Sequence, residues 1–563
     1  MTAIRIPVFP QCLVAAAAWA IAASLPAAAA ITSPLTGNYT VSTSESIGAL
    51  TIGNNTPATP ATLTLASGGT LTVTGANPAF LVGTPGNPYA AVNQTGGTLT
   101  LTSTSVILGY NSASSTYTGQ STYNLASGSI GLTSYTIVGY HAPADFIQTG
   151  GSIVTTRDDT ALNVALFNAG NYAISGGSFE ATGTPYIGSP SLQVSTHDAA
   201  GTLTVGGGAS TAAVALKGWM AMANNADNDT DKGSATVNLL PNGTLAVNTN
   251  IYRGRPDYVV SNGTGTVTFN LGGGTLRPYN ANLAVGNANN GHGANAVFDL
   301  NLLSATTSTL TGIGWKDSVA RTLSIYSKLT GGGGLAIGGG TAELRHAAND
   351  FTGNTTISAG TLKLITTGTN NVANSPTILV ASGATLDVTG VTGPGGFVLA
   401  SGQTLTGAGA VTGALTATGT PGNLATVSPG SSIGTLSTGS VTLGDYSDLI
   451  LEVGGAGQND KLAVTGNLIL TSTLDRLDLS PVGGWLGSYT LATWTGSISG
   501  EFSQVYYNNV LMPNPTAAGG INGNYRLIYD AGSKMLLLIP EPSPLALAGL
   551  MAGGQLLRRR RGG

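Results

Sequence analysis

The sequence predicts an all-β chain wound as a right-handed parallel β-helix, and three observations lead there. Glycine is abundant, 83 of 563 residues, and it recurs at the boundaries of short apolar alternations. Charged residues make up only 8% of the chain while the apolar fraction is 42%, against roughly 25% charge in an average globular protein. Neither a disordered chain nor a coiled coil has that balance. The third observation is period: Leu63-Thr64-Leu65 and Leu71-Thr72-Val73 put aliphatic residues on one face and Thr on the other, which is strand periodicity, and no stretch has convincing helical periodicity. At this length a single compact domain is disfavoured, leaving several domains or one elongated solenoid.

The amino-terminal element comes first. Arg5 precedes an apolar run from Cys12 to Ala30, broken by Ser24 and Pro26 and closing on Ala27 to Ala30. A positive start, an apolar stretch and small residues form a secretory signal over residues 1–30, cut between Ala30 and Ile31. An uncleaved membrane anchor is the competing reading, and the Pro and the Ala-rich close weigh against it. Cys12 leaves with the signal, so the exported chain holds no Cys and depends on hydrogen-bond ladders and packing.

From residue 31 a short phrase recurs: Gly, then Thr or Ser, then an apolar residue. It stands at Gly69-Thr70-Leu71, Gly97-Thr98-Leu99, Gly128-Ser129-Ile130, Gly151-Ser152-Ile153, Gly177-Ser178-Phe179, Gly201-Thr202-Leu203, Gly243-Thr244-Leu245, Gly274-Thr275-Leu276 and Gly360-Thr361-Leu362. Successive early occurrences are spaced as the rungs of a solenoid are. Longer flanks rhyme as well: Gln94-Thr95-Gly96-Gly97 with Gln148-Thr149-Gly150-Gly151, and Tyr123-Asn124-Leu125 with Tyr172-Ala173-Ile174. Coils of about 25 residues would number roughly 20 and, stacked at about 4.8 Å, build a rod near 100 Å long. A pair of β-sandwiches also uses short strands, but has no reason to repeat one phrase.

Residues 321–470 carry a more specific pattern. Gly340-Thr341-Ala342-Glu343-Leu344 is followed by Asn349-Asp350-Phe351-Thr352-Gly353 and then Ile357-Ser358-Ala359-Gly360-Thr361-Leu362-Lys363-Leu364. This resembles the autotransporter-associated β-strand repeat, N-x-[FY]-T-G-x-T-x-I-x-x-G-T-L-x-L. The resemblance implies a β-helical, passenger-like surface protein, with Phe351, Ile357, Leu362 and Leu364 pointing inward and Gly353 and Gly360 at corners. It continues through Ser428-Pro429-Gly430 and Glu452-Val453 toward residue 539; residues 31–320 hold only the looser phrase. No membrane barrel follows the repeats, so the resemblance transfers fold and not secretion route. Residues 471–539, with Trp485, Tyr489, Trp494, Tyr506 and Tyr507, are expected to cap the open end of the solenoid.

Residues 540–563 close the chain with Pro540-Glu541-Pro542, an apolar Leu545 to Leu557, and Arg558, Arg559, Arg560 and Arg561. Thirteen helical residues reach about 20 Å, a marginal membrane span with the arginines on the cytoplasmic side. The order resembles the PEP-CTERM sorting signal of Gram-negative bacteria. It implies export, transient retention in the inner membrane by a short transmembrane helix, and cleavage near Pro540 to Pro542 by an exosortase.

Chemistry-bearing residues are scarce between these ends. Residues 31–539 hold 15 basic and 23 acidic groups, too sparse and too acidic to bind nucleic acid. Asp158-Asp159 and Gly291-His292-Gly293 superficially resemble polygalacturonase fragments but lie several coils apart in the sequence. Asp227, Asp229 and Asp231 could offer three carboxylates to Ca²⁺, but Lys232 and Asn238 stand where an EF-hand-type loop wants Gly and Glu. No cofactor is expected. These features together predict an exported, non-catalytic structural protein of the bacterial cell surface or extracellular polysaccharide matrix. A polysaccharide-binding adhesin, its tyrosines stacking on sugars, is the alternative, and a β-helical lyase or hydrolase a more distant one.

Overall fold

In a computed structural model of the chain, the described residues are 30–113, 116–184, 192–224, 233–254, 265–287, 297–455, 457–470 and 472–541. The signal body, Asp227, Asp229, Asp231, His292, Pro542 and Arg558 to Arg561 lie outside them.

The fold is a β-solenoid, all-β, with no helix among the described residues. Each early turn contributes three strands. Asn38–Val41, Ser44–Ile47 and Leu50–Ile52 make the lowest described turn. They pair in parallel with Ala61–Leu65, Thr70–Val73 and Phe80–Val82 of the next. Three faces, here called first, second and third in chain order, therefore enclose one bore. Alternation sets the inside: Ala61, Leu63 and Leu65 are buried while Thr62 and Thr64 are half-buried. A single apolar core runs from Ile31 to Leu538.

The side-chain columns are regular. On the first face Tyr39, Leu63, Val92, Tyr123, Phe146, Tyr172, Leu203, Val237, Phe269, Leu300 and Leu329 stack one per turn. On the second, Leu71, Leu99, Ile130, Ile153, Phe179, Val214, Leu245, Leu276 and Leu310 do the same. The recurring Gly precedes this second column and forms a column of its own. Gly97, Gly128, Gly151 and Gly177 have φ of 64°, 92°, 67° and 83°. A Cβ on any of them would sit 2.1–2.7 Å from the carbonyl oxygen of the column glycine one turn below, so both conformation and space demand Gly.

The ladders cross residues 320–321 without interruption, through Ser308↔Leu335 and Leu323↔Ala342. In the repeat region Phe351, Ile357, Leu362 and Leu364 are buried as expected, and the turn becomes shorter, Leu364 standing directly above Leu344. From Phe397–Leu399 onward the first face is a separate five-stranded sheet ending at Ile498–Gly500. Parallel stacking stops at Gln504–Tyr507, which turns back antiparallel into Val510–Leu511. Met535–Pro540 then lies antiparallel to both Tyr489–Trp494 and Tyr525–Asp530. The solenoid has about 15 turns, fewer than the coil length expected from sequence implies. Some turns are longer than that expectation, as where Val237 is the next residue above Leu203, and the chain after Tyr507 adds no further parallel coil.

Candidate functional site

Three surface features hold side chains whose chemistry exceeds what stacking needs. The first is an aromatic corner. Third-face strands Val106–Leu108, Thr136–Val138, Leu162–Val164 and Leu192–Thr196 align Leu108, Val138, Val164 and Val194. The next residue in each turn, Gly109, Gly139, Ala165 and Ser195, has positive φ between 64° and 79°. That shared left-handed kink directs the following residues into one stack. Tyr110 lies parallel to Tyr140 at 5.6 Å, His141 parallel to Phe167 at 4.9 Å, and Phe167 4.2 Å from His197. Tyr110, Tyr140 and Phe167 are half-buried and His141 fully buried. Neither ring nitrogen of His141 has a hydrogen-bond partner, and burial pushes its pKa down, toward the neutral ring. The Tyr117 hydroxyl is likewise buried without a partner, which raises its pKa. Beside it an open cleft of about 510 Å³ is lined by Thr116, Tyr117, Thr118, Gly119, Pro143 and Asn168. Ring edges, hydroxyls and an amide at one-turn spacing suit repeated contacts to a polyhydroxylated chain.

The second feature, unmarked in the sequence reading, is a group of acids on the outer second face near the carboxyl end. Asp448 faces Arg476 on the next turn, and Asp478 faces Tyr506 on the turn after. The Arg476 guanidinium contacts Asp478 at 2.5 Å and Asp448 at 3.5 Å and lies 4.0 Å above the Tyr506 ring. Burial raises the Asp448 pKa to about 6, against the opposing pull of Arg476. Asp460 is also raised to about 6 by burial, although it accepts the Gly434 and Glu452 amides at 2.8 and 2.9 Å. Asp478 and Asp460 are committed to Arg476 or backbone donors, while Asp448 Oδ1 has only the longer ion pair and no hydrogen bond; the group stitches turns. Outward positions in Ser447–Val453 and Arg476–Pro481 alternate with Leu, and that alternation is the only sequence signal they leave.

The third is a strap. Glu180 accepts hydrogen bonds from the Tyr279 hydroxyl and Lys316 Nζ, both at 2.6 Å, across a long separation in the chain. Trp315 stacks on Tyr279 at 5.6 Å, over the small outward residues Ala215 and Ala246.

Among residues singled out from sequence, Asp159 pairs locally with Arg157 at 2.9 Å, and Asp158 accepts the Thr184 amide at 3.2 Å. They form a turn held by these local contacts. No group of three or more His, Cys, Asp or Glu able to hold a metal occurs among the described residues. Ala30 and Ile31 lie at the base of the solenoid and Pro540 and Glu541 at its end. Pro540 completes the last strand, and Glu541 pairs with Arg526 at 2.8 Å while its amide donates to the Asn524 carbonyl. Compared with known family models and curated proteins, the chain matches none.

Proposed function

We propose that the chain is an exported structural protein of the Gram-negative cell surface or extracellular polysaccharide matrix, sorted through its carboxyl-terminal tail and cut by an exosortase. The observation that carries this reading is where the rod stops. Its final strand ends at Pro540, and Glu541 is tied to Arg526 and Asn524; the apolar segment and Arg558 to Arg561 follow directly. A sorting segment attached there is removable without disturbing a coil. In line with a non-catalytic role, the outer acids Asp478 and Asp460 are engaged by Arg476 and by backbone amides. Right-handed winding belongs to the same proposal, because parallel crossover connections are right-handed in about 98% of cases. Mass spectrometry of the mature protein tests the sorting: a carboxyl terminus near Pro540 to Pro542 is expected, and retention of Arg558 to Arg561 would overturn it.

The aromatic corner favours a second reading, a polysaccharide-binding adhesin. Incubating the purified protein with acidic polysaccharides separates the classes. Retention without cleavage indicates the adhesin, product release a lyase or hydrolase, and neither outcome a scaffold.

A further inference from the structure

The lowest described turn breaks the apolar pattern of its own columns. Ser44–Ile47 pairs with Thr70–Val73 so that Glu45 stands beneath Leu71, and the column continues upward as Leu99 and Ile130. On the neighbouring face Tyr39 stands beneath Leu63. A carboxylate thus occupies an inward position at the foot of an aliphatic column. The Tyr39 hydroxyl lies 2.8 Å from both Glu45 oxygens, and the backbone nitrogen of Ile31 lies 3.1 Å from Oε2. Burial and the neighbouring carboxylate push the Tyr39 pKa up to about 12, so the phenol stays a proton donor. Ile31 is only 7% exposed and belongs to the core together with Leu35. Among the described residues no Lys or Arg forms an ion pair with Glu45. An inward carboxylate next to a main-chain nitrogen and a phenol lacks one thing, a positive charge.

We propose that Ile31 is the mature amino terminus and that its α-ammonium is the counter-ion of Glu45, so that removal of the leader completes the base of the solenoid. The inference rests on the export reading for the cut itself. A signal-type peptidase hydrolyses the Ala30–Ile31 amide: water supplies hydroxyl to the Ala30 carbonyl carbon and a proton to the Ile31 nitrogen. The leader's new carboxyl then gives up its proton and the amine takes one up, so the leader departs as a carboxylate and Ile31 is left with an ammonium. Before the cut, the Ile31 nitrogen offers Glu45 one neutral N–H. Afterwards the same atom carries three N–H groups and a full charge, which adds ion-pair attraction to a hydrogen bond until then assisted by the carboxylate charge alone. The Ile31 side chain needs no movement, since it is already packed in the core. A leader-bearing chain would therefore hold a loosened first turn, and sealing of the base would follow export.

The test compares the chain from Ile31 onward, bearing a free amine, with one retaining Ala30, each with and without Glu45→Gln. Hydrogen exchange is followed in Asn38–Val41 and Ser44–Ile47. Retaining Ala30 or introducing Glu45→Gln should each speed exchange there about tenfold, with no further gain when combined, while Thr435–Thr438 stays unchanged. Equal exchange in all four proteins would overturn the ion pair and leave export standing. Amino-terminal mass analysis of the exported protein separates the two ideas: Ile31 in first place supports both. A terminus elsewhere beyond the leader defeats the ion pair alone, and an intact leader defeats the export reading as well.

Discussion

The turns between Tyr89 and Ala181 and those after Gly334 enclose the same bore with different means of keeping register. In the first group the turns are unequal in length, as the successive column residues Val92, Tyr123, Phe146 and Tyr172 show. There the bore contains amides and phenols. Tyr123 donates to Gln94 Oε1 at 2.7 Å and Tyr172 to Gln148 Oε1 at 2.6 Å, while each Gln amide donates to carbonyls at the glycine corner, Gly97 and Ser129 for one, Gly151 and Ser178 for the other. In the repeat turns the second- and third-face columns are aliphatic, Ile337 beneath Ile357 and Leu344 beneath Leu364, and the amides have moved to a corner. Asn349 accepts the Leu329 amide and donates to Asn371 O, and Asn371 donates to Leu344 O and His346 O. Aliphatic columns tolerate a two-residue slip, because the same face stays inward. A buried amide does not, because slipping strands it without a partner. The unequal turns therefore carry the register inside the bore, and the shorter turns of the repeat region leave it to the corner.

The comparison breaks most sharply at glycine. Gly128→Ala places a methyl 2.3 Å from the Gly97 oxygen at φ 92°, whereas Gly383, at φ 78°, has nothing within 4 Å of its Cβ position. Gly128→Ala should cost more than about 3 kcal/mol and Gly383→Ala about 1 kcal/mol, read from denaturant midpoints. Similar losses at both sites would refute the stacked corner.

Acidity separates the regions next. Asp448 has a folded value of about 6, above the roughly 3.9 of an unfolded aspartate. The folded state therefore binds this proton more tightly, and the Asp448 contribution to stability is fully present at low pH and lost as pH rises from about 4 to about 6. Asp448→Asn should stabilise the carboxyl-terminal turns by about 1–2 kcal/mol at pH 7.5 relative to its effect at pH 4, followed by Trp485 and Trp494 fluorescence. Exchange in Gln120–Leu132 should not respond.

A smaller effect is expected within the bore. Tyr172→Phe leaves Gln148 Oε1 buried without its donor and should cost about 1–3 kcal/mol. Adding Gln148→Leu should recover part of that loss in a double-mutant cycle, and strict additivity would argue against the stitch. Smallest is Lys316→Ala, half-exposed at the strap, which should change stability by under about 1 kcal/mol; a larger loss would make the strap a principal brace.

Much of this was legible from sequence, and the exceptions are instructive. The Gly-Thr-Leu phrase located strand starts, and at Leu71, Leu99, Ile130, Ile153, Phe179, Leu245 and Leu276 it marks one column. Yet Leu203 stands above Tyr172 on the first face, and Leu362 belongs to the third. The phrase encodes a corner followed by a strand, which any face can use. The rhymes of Gln94 with Gln148 and Tyr123 with Tyr172 were visible, but not that each Gln answers the Tyr of the following turn. Glu180 and Lys316 could not be matched by eye, since their meeting depends on the lengths of every turn between them. The same holds for Asp448 and Arg476, whose partnership is a matter of register. Glu45 leaves no signal in the sequence; its inward place follows only from Leu71 standing above it.

The last strand gives the rod a mechanical property. Met535–Pro540 lies between Tyr489–Trp494 and Tyr525–Asp530 and leads straight into Glu541. A pull on the chain at Glu541 thus loads two rows of antiparallel hydrogen bonds lengthwise and together, and it bypasses the outermost coil at Gln504–Tyr507. Under the proposed membrane tether, tension would be received as shear by Tyr489–Trp494, the last parallel strand of the third face, so the rod would resist being unwound from that end.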